Sequence, residues 1–203
     1  MSLSIDQIIH LFESRGAAWY GGEAVTQLEH ALQCAALAER DGASPGLIAA
    51  CLLHDLGHLL AERGGDPAVD DVHQYAALPF LRGVFPATVL QPIRLHVEAK
   101  RYLCTVEPDY WKGLSPASKA SLELQGGVLA PNELERFIDH PFARNAVRLR
   151  RYDDAAKVPG QQTPGLPHFV AVLMREVAPD SRTGISYGRR YRRLASGGET
   201  RHN

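Results

Sequence analysis

CLLHDLGHLL, residues 51–60, places two histidines and an aspartate in a segment that is otherwise apolar. Such a segment has the composition of a buried helix, and an uncompensated charge inside a protein costs several kcal/mol. His54, Asp55 and His58 therefore need a partner that neutralises or binds them. Because imidazole and carboxylate groups bind divalent first-row metals, the segment predicts a metal site within a helical core.

Helix signals lie on both sides of this segment. Ser4 and Gln7 form a capping-box pattern ahead of apolar residues at helical spacing, and Gly16 ends that run. Ser44 followed by Pro45 predicts the start of the helix that carries residues 51–60, with its end near residue 62. Further helical runs occupy residues 25–40, 73–85, 87–104, 132–140, 142–157 and 168–177. No alternating stretch predicts a strand, so the fold class is all-α.

The composition favours a single globular domain over residues 1–179. The chain has 203 residues, of which 45% are hydrophobic, enough for one sizeable core. Residues 180–203 contain many arginines but few large apolar residues, which predicts a flexible basic tail. Lys and Arg total 22 against 23 acidic residues, so no overall charge favours nucleic acid or a membrane surface as a partner.

The cysteines and the amino-terminal residues indicate the compartment. Cys34, Cys51 and Cys104 are odd in number and widely spaced, which argues against a disulfide framework and against a CxxC zinc site. Residues 1–16 lack the apolar core of a signal peptide, and no uncharged apolar stretch approaches the roughly 18 residues that cross a membrane. We therefore expect a cytoplasmic protein whose thiols are reduced and buried.

Other segments offer further metal ligands. The candidates are His30, His73, His96, Asp153 and Asp154. A single histidine in a helix is more often structural, but several in separate helices around an adjacent His-Asp pair favour a metal centre. Together with that pair they suit one or two first-row divalent metals, iron included. They match poorly a structural zinc site, which closes with four ligands.

The order of these residues resembles a known superfamily. His30, then His54-Asp55, then Asp153 is similar to the H…HD…D signature of HD-domain proteins, most of which are metal-dependent phosphohydrolases. The wider motifs WYGGE, EHALQCA, HDLGH, HVEAKRYLC, LSPASKASLELQGG and RRYDDAAK resemble the phosphonate-degrading mixed-valent di-iron oxygenases. This resemblance implies an HD-domain helical bundle around a dinuclear metal site. It also implies two Fe ions, Fe(II) and Fe(III), with O2 as co-substrate.

The same resemblance implies a ligand set. One iron would take His30, His54 and Asp153, the other His73 and His96, with Asp55 bridging both. Asp153 is preferred to Asp154 because Asp153 lies one turn after Arg150 and one turn before Lys157, as in the family's ligand helix.

The implied reaction is O2-dependent cleavage of the C–P bond of a 1-hydroxyphosphonate, with 2-amino-1-hydroxyethylphosphonate giving glycine and phosphate. His58, Lys100 and Arg150 each lie about one helical turn from a proposed ligand, so three donors would converge on the phosphonate. Ser118 adds a hydroxyl at a helix start. His58 and Lys100 are predicted to be catalytic as well as substrate-binding. Taken singly, Lys100 and Arg150 also fit a solvated helix face.

The segment WYGGE is expected to contact the end of the substrate that lies opposite the phosphonate. By resemblance, Tyr20 would occupy an open iron position and move away when substrate binds, which Gly21 and Gly22 would permit. Glu23 would accept the substrate ammonium. On residue types alone, a plain turn with a packed tyrosine fits equally well.

Two other functions compete with this one. The main alternative is an HD phosphohydrolase, in which the same metals activate water against a phosphate ester or nucleotide. A nucleic-acid or partner-binding module would rest on the tail alone, through Arg189, Arg190, Arg192 and Arg193. No P-loop, dinucleotide-binding glycine motif or GxSxG elbow is present in the sequence.

Overall fold

A computed structural model describes residues 2–61 and 72–178. The segment between the helices predicted to end near residue 62 and to begin at residue 73, and the tail predicted at 180–203, lie outside these residues. The described ranges contain twelve helices: α1 (Ile5–Arg15), α2 (Gln27–Arg40), α3 (Pro45–Leu53), α4 (Leu56–Leu60), α5 (His73–Ala76), α6 (Leu78–Leu81), α7 (Ala87–Val106), α8 (Tyr110–Gly113), α9 (Pro116–Leu124), α10 (Pro131–Ile138), α11 (Ala143–Ala155) and α12 (Leu166–Glu176). Within them the only β structure is an isolated bridge between Trp19 and Thr26. The all-α prediction is confirmed.

The predicted helix caps are present. The Gln7 backbone N–H donates to Ser4 Oγ at 3.2 Å, and the Ser4 N–H donates to Gln7 Oε1 at 2.8 Å, which completes the capping box of α1. Gly16 ends that helix. Ser44 caps α3 by accepting from the Leu47 N–H, and Pro45 occupies the first helical position. These local signals therefore fix where α1 and α3 begin.

The helix predicted to run unbroken from Pro45 to near residue 62 is instead two helices. α3 ends at Leu53 and α4 begins at Leu56. Asp55, in the turn between them, has φ −103° and ψ 15°, outside the helical region. Side chains of adjacent residues in a continuous helix point about 100° apart. Here, His54 Nε2 lies 3.2 Å from Asp55 Oδ2.

α3 is the central element of the described fold. From Gly46 to Leu53 every residue is buried, and the helix packs against α2, α7, α11 and α12. The main apolar core surrounds it, and a smaller core that includes Leu95 and Phe137 lies among α7, α10 and α11. Cys34 and Cys51 are buried as expected, whereas Cys104 is half-buried. Within the described ranges, none of the helices combines the length and apolar character needed to cross a lipid bilayer.

Candidate metal centre

Six predicted ligand residues from distant parts of the chain come together beside α3. They are His30 of α2, His54 and Asp55 of the α3–α4 turn, His73 of α5, His96 of α7 and Asp153 of α11. All of them are buried except His73, which is half-buried. The packing of α2, α7 and α11 against α3 is what brings these side chains together.

Asp55 lies between two pairs of histidines. Its Oδ2 atom is 3.5 Å from His30 Nε2 and 3.2 Å from His54 Nε2, and these two nitrogens are 3.2 Å apart. Its Oδ1 atom is 3.4 Å from His73 Nε2 and 3.7 Å from His96 Nε2, which are themselves 3.0 Å apart. Each carboxylate oxygen therefore faces its own pair of imidazole nitrogens, an arrangement suited to two adjacent cations.

Backbone carbonyls set the orientation of three of the imidazole rings. The Nδ1 atoms of His30, His54 and His96 lie 2.9, 2.8 and 2.7 Å from the carbonyl oxygens of Ala156, Cys51 and Ile93. A carbonyl only accepts hydrogen bonds, so Nδ1 of each ring is protonated, and Nε2 is the nitrogen that faces the cluster as the potential metal ligand. Histidine metal ligands are commonly oriented in this way.

The electrostatics of the cluster favour a bound cation. Among the described residues, Asp55 Oδ2 and Asp153 Oδ1 are buried atoms without a hydrogen-bond partner. Burial raises the pKa of both carboxyls, but His54 beside Asp55, and Arg150 beside Asp153, more than offset this and hold each pKa well below its usual value. Although burial lowers the pKa of His54, attraction to Asp55 raises it to about 10. The donor set and its charge fit one or two divalent first-row metal ions.

Asp153 and Asp154 have different surroundings. Asp153 Oδ1 lies 3.5 Å from His30 Nε2, so this carboxylate faces the histidines, while its Oδ2 pairs with Arg150 Nη1 at 2.7 Å. Asp154 instead binds the opposite end of Arg150 and the hydroxyl of Tyr110. Asp153 therefore contacts both the histidine cluster and Arg150, whereas Asp154 contacts Arg150 and Tyr110.

A buried cationic pocket adjoins the cluster. Arg150 is 5% exposed, donates from Nε to Tyr110 Oη at 3.1 Å and reaches Ser118 Oγ at 3.5 Å. Lys100 is 2% exposed and donates to Ser121 Oγ at 2.8 Å. Burial, together with the charge of Arg150, lowers the pKa of Lys100 to about 7. Two buried side chains of positive charge beside neutral hydroxyl groups are suited to binding an anion.

Tyr20 and His58 flank the histidines. The Tyr20 ring stacks on His30 with centroids 3.9 Å apart and an interplanar angle of 11°. Burial, reinforced by Asp153 and Asp55, raises the Tyr20 pKa well above its usual value, so the phenol is neutral. His58 stacks on His73 at 4.2 Å, and potential ligand atoms of Asp55, His58 and His73 lie within 4.8 Å of one another.

Glu23 forms a hydrogen bond and an ion pair with other residues of the chain. Its Oε1 atom accepts from Ser115 Oγ at 2.5 Å and from Lys157 Nζ at 3.1 Å. Lys157 also donates to Ser118 Oγ at 3.0 Å and lies 5.7 Å from the centre of the Tyr20 ring. Glu23 is thereby connected through Lys157 and Ser118 to Arg150.

Sequence reasoning assigned no role to several residues of this site. Lys157 served only to mark the ligand helix, and Ser115, Ser121 and Tyr110 were not considered. Lys157 follows Asp153 by four residues, a spacing at which two side chains of a helix lie on the same face. Ser121 follows Ser118 by three residues in α9. Tyr110 carried no sequence signal that would link it to Arg150.

Comparison with known proteins finds similar chains. No family model matches. The chain is 44% identical over 169 residues to hydroxymethylphosphonate dioxygenase of Gimesia maris, a match that covers 81% of this chain and 84% of that protein. It is 39% identical over 170 residues to the glycine-betaine-forming 1-hydroxy-2-(trimethylamino)ethylphosphonate dioxygenase of Leisingera caerulea. This match covers 82% of this chain and 87% of that protein. It is also 34% identical over 188 residues to an uncharacterised protein of Acanthamoeba polyphaga mimivirus, a match that covers 90% of this chain and 85% of that protein.

Proposed function

This chain belongs to the hydroxyphosphonate dioxygenases, and from that membership we propose that it cleaves the C–P bond of a 1-hydroxyphosphonate with O2 at a dinuclear iron site. The substrate is a small organophosphonate. In such a reaction C1 becomes a carboxylate and phosphorus leaves as phosphate, so one O2 is consumed for each phosphate released. The observation that carries the proposal is Asp55, whose two oxygens face separate histidine pairs beside the buried Arg150–Lys100 pocket.

Iron is the metal that we propose for both positions, as an Fe(II)/Fe(III) pair. A mixed set of imidazoles and carboxylates with one carboxylate between two positions supports this choice. The proposed ligands are His30, His54 and Asp153 for one ion, His73 and His96 for the other, and Asp55 for both. When bound, the iron pair would supply the redox chemistry with O2 that amino-acid side chains lack.

The protein's own residues would bind and orient the phosphonate. Arg150 offers a planar fork that matches a phosphonate, and Lys100 offers a compact charge on the same side. Ser118 Oγ, 3.5 Å from Arg150 Nη2, would donate a third hydrogen bond. Because all three side chains are buried, their attraction for the anion is screened less than at a surface.

Tyr20 and His58 have proposed roles at the reacting end. Tyr20 would cover the metal nearest His30 and move away as substrate enters. The following residues support this motion, since Gly21 and Gly22 have φ 45° and 82° and nothing lies within 4 Å of a side chain built there. His58, beside His73, would accept or return the proton of the 1-hydroxyl. Glu23 would face the substituent on C1.

The test measures O2 uptake and phosphate release together, on iron-reconstituted, partly oxidised protein, with an anaerobic control. The substrates are hydroxymethylphosphonate and 2-amino-1-hydroxyethylphosphonate. We expect equal amounts of O2 consumed and phosphate formed with at least one of them, and no phosphate without O2. Asp55→Ala should abolish O2 uptake, phosphate release and iron binding. His168→Ala should change none of these three, because the His168 side chain is 48% exposed and pairs with Glu39.

The alternative hydrolase gives a different result. Phosphate that is released anaerobically from a phosphate ester, with Mn(II) or Mg(II) in place of iron, would overturn the oxygenase proposal and favour the phosphohydrolase. Unchanged iron content in Asp55→Ala would overturn the ligand assignment while leaving the reaction class intact.

A further inference from the structure

Glu23 and Lys157 form an ion pair inside the proposed substrate pocket. Lys157 Nζ lies 3.1 Å from Glu23 Oε1, and their side chains are only 12% and 16% exposed. Burial raises the pKa of Glu23, but the Ser115 hydrogen bond and the Lys157 charge together lower it below its ordinary value. Glu23 is therefore an ionised carboxylate that already has a cationic partner.

The Lys157 ammonium lies where a substrate amine would have to bind. It is 3.0 Å from Ser118 Oγ, which also accepts from Arg150 of the phosphonate pocket, and 5.7 Å from the Tyr20 ring centre. In an aminated substrate the nitrogen is two bonds from C1 and three from phosphorus. An amine that reached Glu23 from a phosphonate held by Arg150 would enter the space that Lys157 Nζ occupies.

The charges of the pocket also indicate that Lys157 occupies the place of a substrate amine. Arg150 is matched by Asp153 and Asp154, and Lys157 by Glu23, while Lys100 donates to the neutral hydroxyl of Ser121. A phosphonate dianion would therefore complement Lys100. A second ammonium beside Glu23 would meet the charge of Lys157 and would have to displace it.

We propose that Lys157 is a specificity-determining residue, which holds Glu23 in an internal ion pair and directs the site to 1-hydroxyphosphonates without a cationic substituent. Hydroxymethylphosphonate is the smallest such substrate. This inference rests on the proposed function. It gives Glu23 a partner other than the substrate ammonium expected from the sequence.

The test compares hydroxymethylphosphonate with 2-amino-1-hydroxyethylphosphonate in two measurements: kcat/KM for phosphate release, and Kd from anaerobic calorimetry on iron-loaded protein. We expect the wild-type protein to prefer the unsubstituted substrate by a factor of about ten or more in both. Lys157→Met and Lys157→Gln should move the ratio toward the aminated substrate by about tenfold, because Glu23 is then free to bind an ammonium. Lys157→Arg, which keeps the charge, should retain the wild-type preference.

A double variant separates a specificity role from a general one. If Glu23 causes the shift, Glu23→Gln combined with Lys157→Met should lose the gain for the aminated substrate. Equal loss for both substrates in Lys157→Met, or a wild-type preference for the aminated substrate, would overturn the proposal even if turnover depends on O2. If no 1-hydroxyphosphonate is turned over, the proposed function fails, and the anaerobic Kd ratios still decide the role of Lys157.

Discussion

Asp153 and Asp154 are adjacent carboxylates whose substitutions should have separate effects. Asp153 faces His30 and Asp154 binds Arg150. We expect Asp153→Asn to lose iron and activity together, because it removes a charged ligand. Asp154→Asn should keep the iron and raise KM for the phosphonate by roughly tenfold, because Arg150 loses one of the two carboxylates that orient it. Iron analysis of the purified variants and steady-state kinetics measure the two effects.

The contrast between the two variants is its own control, since both remove one charge from the same helix turn. Loss of iron in Asp154→Asn, with iron retained in Asp153→Asn, would exchange the two roles and contradict the preference drawn from the sequence.

Lys100 is a buried cation that we expect to bind the phosphonate at a cost in the stability of the fold. Burial and Arg150 lower its pKa from 10.5 in the unfolded chain to about 7 in the folded protein. Between these values the unfolded state binds more protons at this lysine, so the contribution of Lys100 to the free energy of unfolding rises with pH from about 7 to about 10.5. Lys100→Met should therefore stabilise the protein by about 1–2 kcal/mol at pH 7, less at about pH 9.5, and abolish phosphonate binding.

Urea unfolding at the two pH values measures this effect. Lys112→Met is the matched control, because the Lys112 side chain is 72% exposed and its removal should change stability little at either pH. A Lys100→Met variant that is less stable than wild type at pH 7 would show that the lysine contributes to folding.

At the scale of elements, the contact between α4 and α5 depends on a glycine. A Cβ added to Gly57 would lie 2.3 Å from the carbonyl oxygen of His73 and 2.9 Å from its Cα. Both atoms belong to the backbone, so α5 would have to move and take the His73 imidazole with it. We expect Gly57→Ala to bind about one iron per chain instead of two and to lose activity.

Metal analysis of folded protein checks this prediction. Gly113→Ala is the control, because nothing lies within 4 Å of a side chain built at Gly113 and its backbone is not in the left-handed region. Two irons in Gly57→Ala would mean that the α4–α5 contact does not determine the position of His73.

The sequence predicted elements well where a local signal marks them. Ser4, Ser44 and Pro45 specify helix starts through hydrogen bonds within a few residues, so their pattern is sufficient. The turn at His54 and Asp55 has no glycine or proline, and each residue tolerates a helix. The break is stabilised by contacts with histidines of other helices, which a local pattern does not contain.

At the scale of the whole molecule, the proposed centre joins five elements. Ligand residues come from α2, the α3–α4 turn, α5, α7 and α11, and two buried carboxylate atoms in it lack hydrogen-bond partners in the described structure. Removing the metal should therefore lower the melting temperature. For free metal at 100 times its Kd, the expected change is about 2.7 kcal/mol, or roughly 5–11 °C for a chain of this length.

Calorimetry before and after chelation, and again after iron is restored, measures the change. Reversal on adding iron distinguishes metal loss from damage. An unchanged melting temperature would show that the centre adds no net stability to the fold.

The arrangement of charged groups across the whole chain was only partly predictable. Histidines in apolar helices pointed to a metal centre because few other groups satisfy them in a core. The pairing of Glu23 with Lys157 joins residues 134 positions apart, and both types are ordinary on a solvated surface. Their partnership arises from tertiary packing, which brings the WYGGE turn to the end of α11.

The backbone hydrogen bonds of the histidine rings have a consequence for how the protein acquires its metal. His54 and His96 are each held by a carbonyl three residues earlier, so their orientation forms with the local helical turn. Uptake of the metal then resembles association with a rigid receptor. Its rate should increase in proportion to metal concentration without reaching a plateau set by refolding, and the barrier would lie in shedding water from the ion and in its passage to the interior.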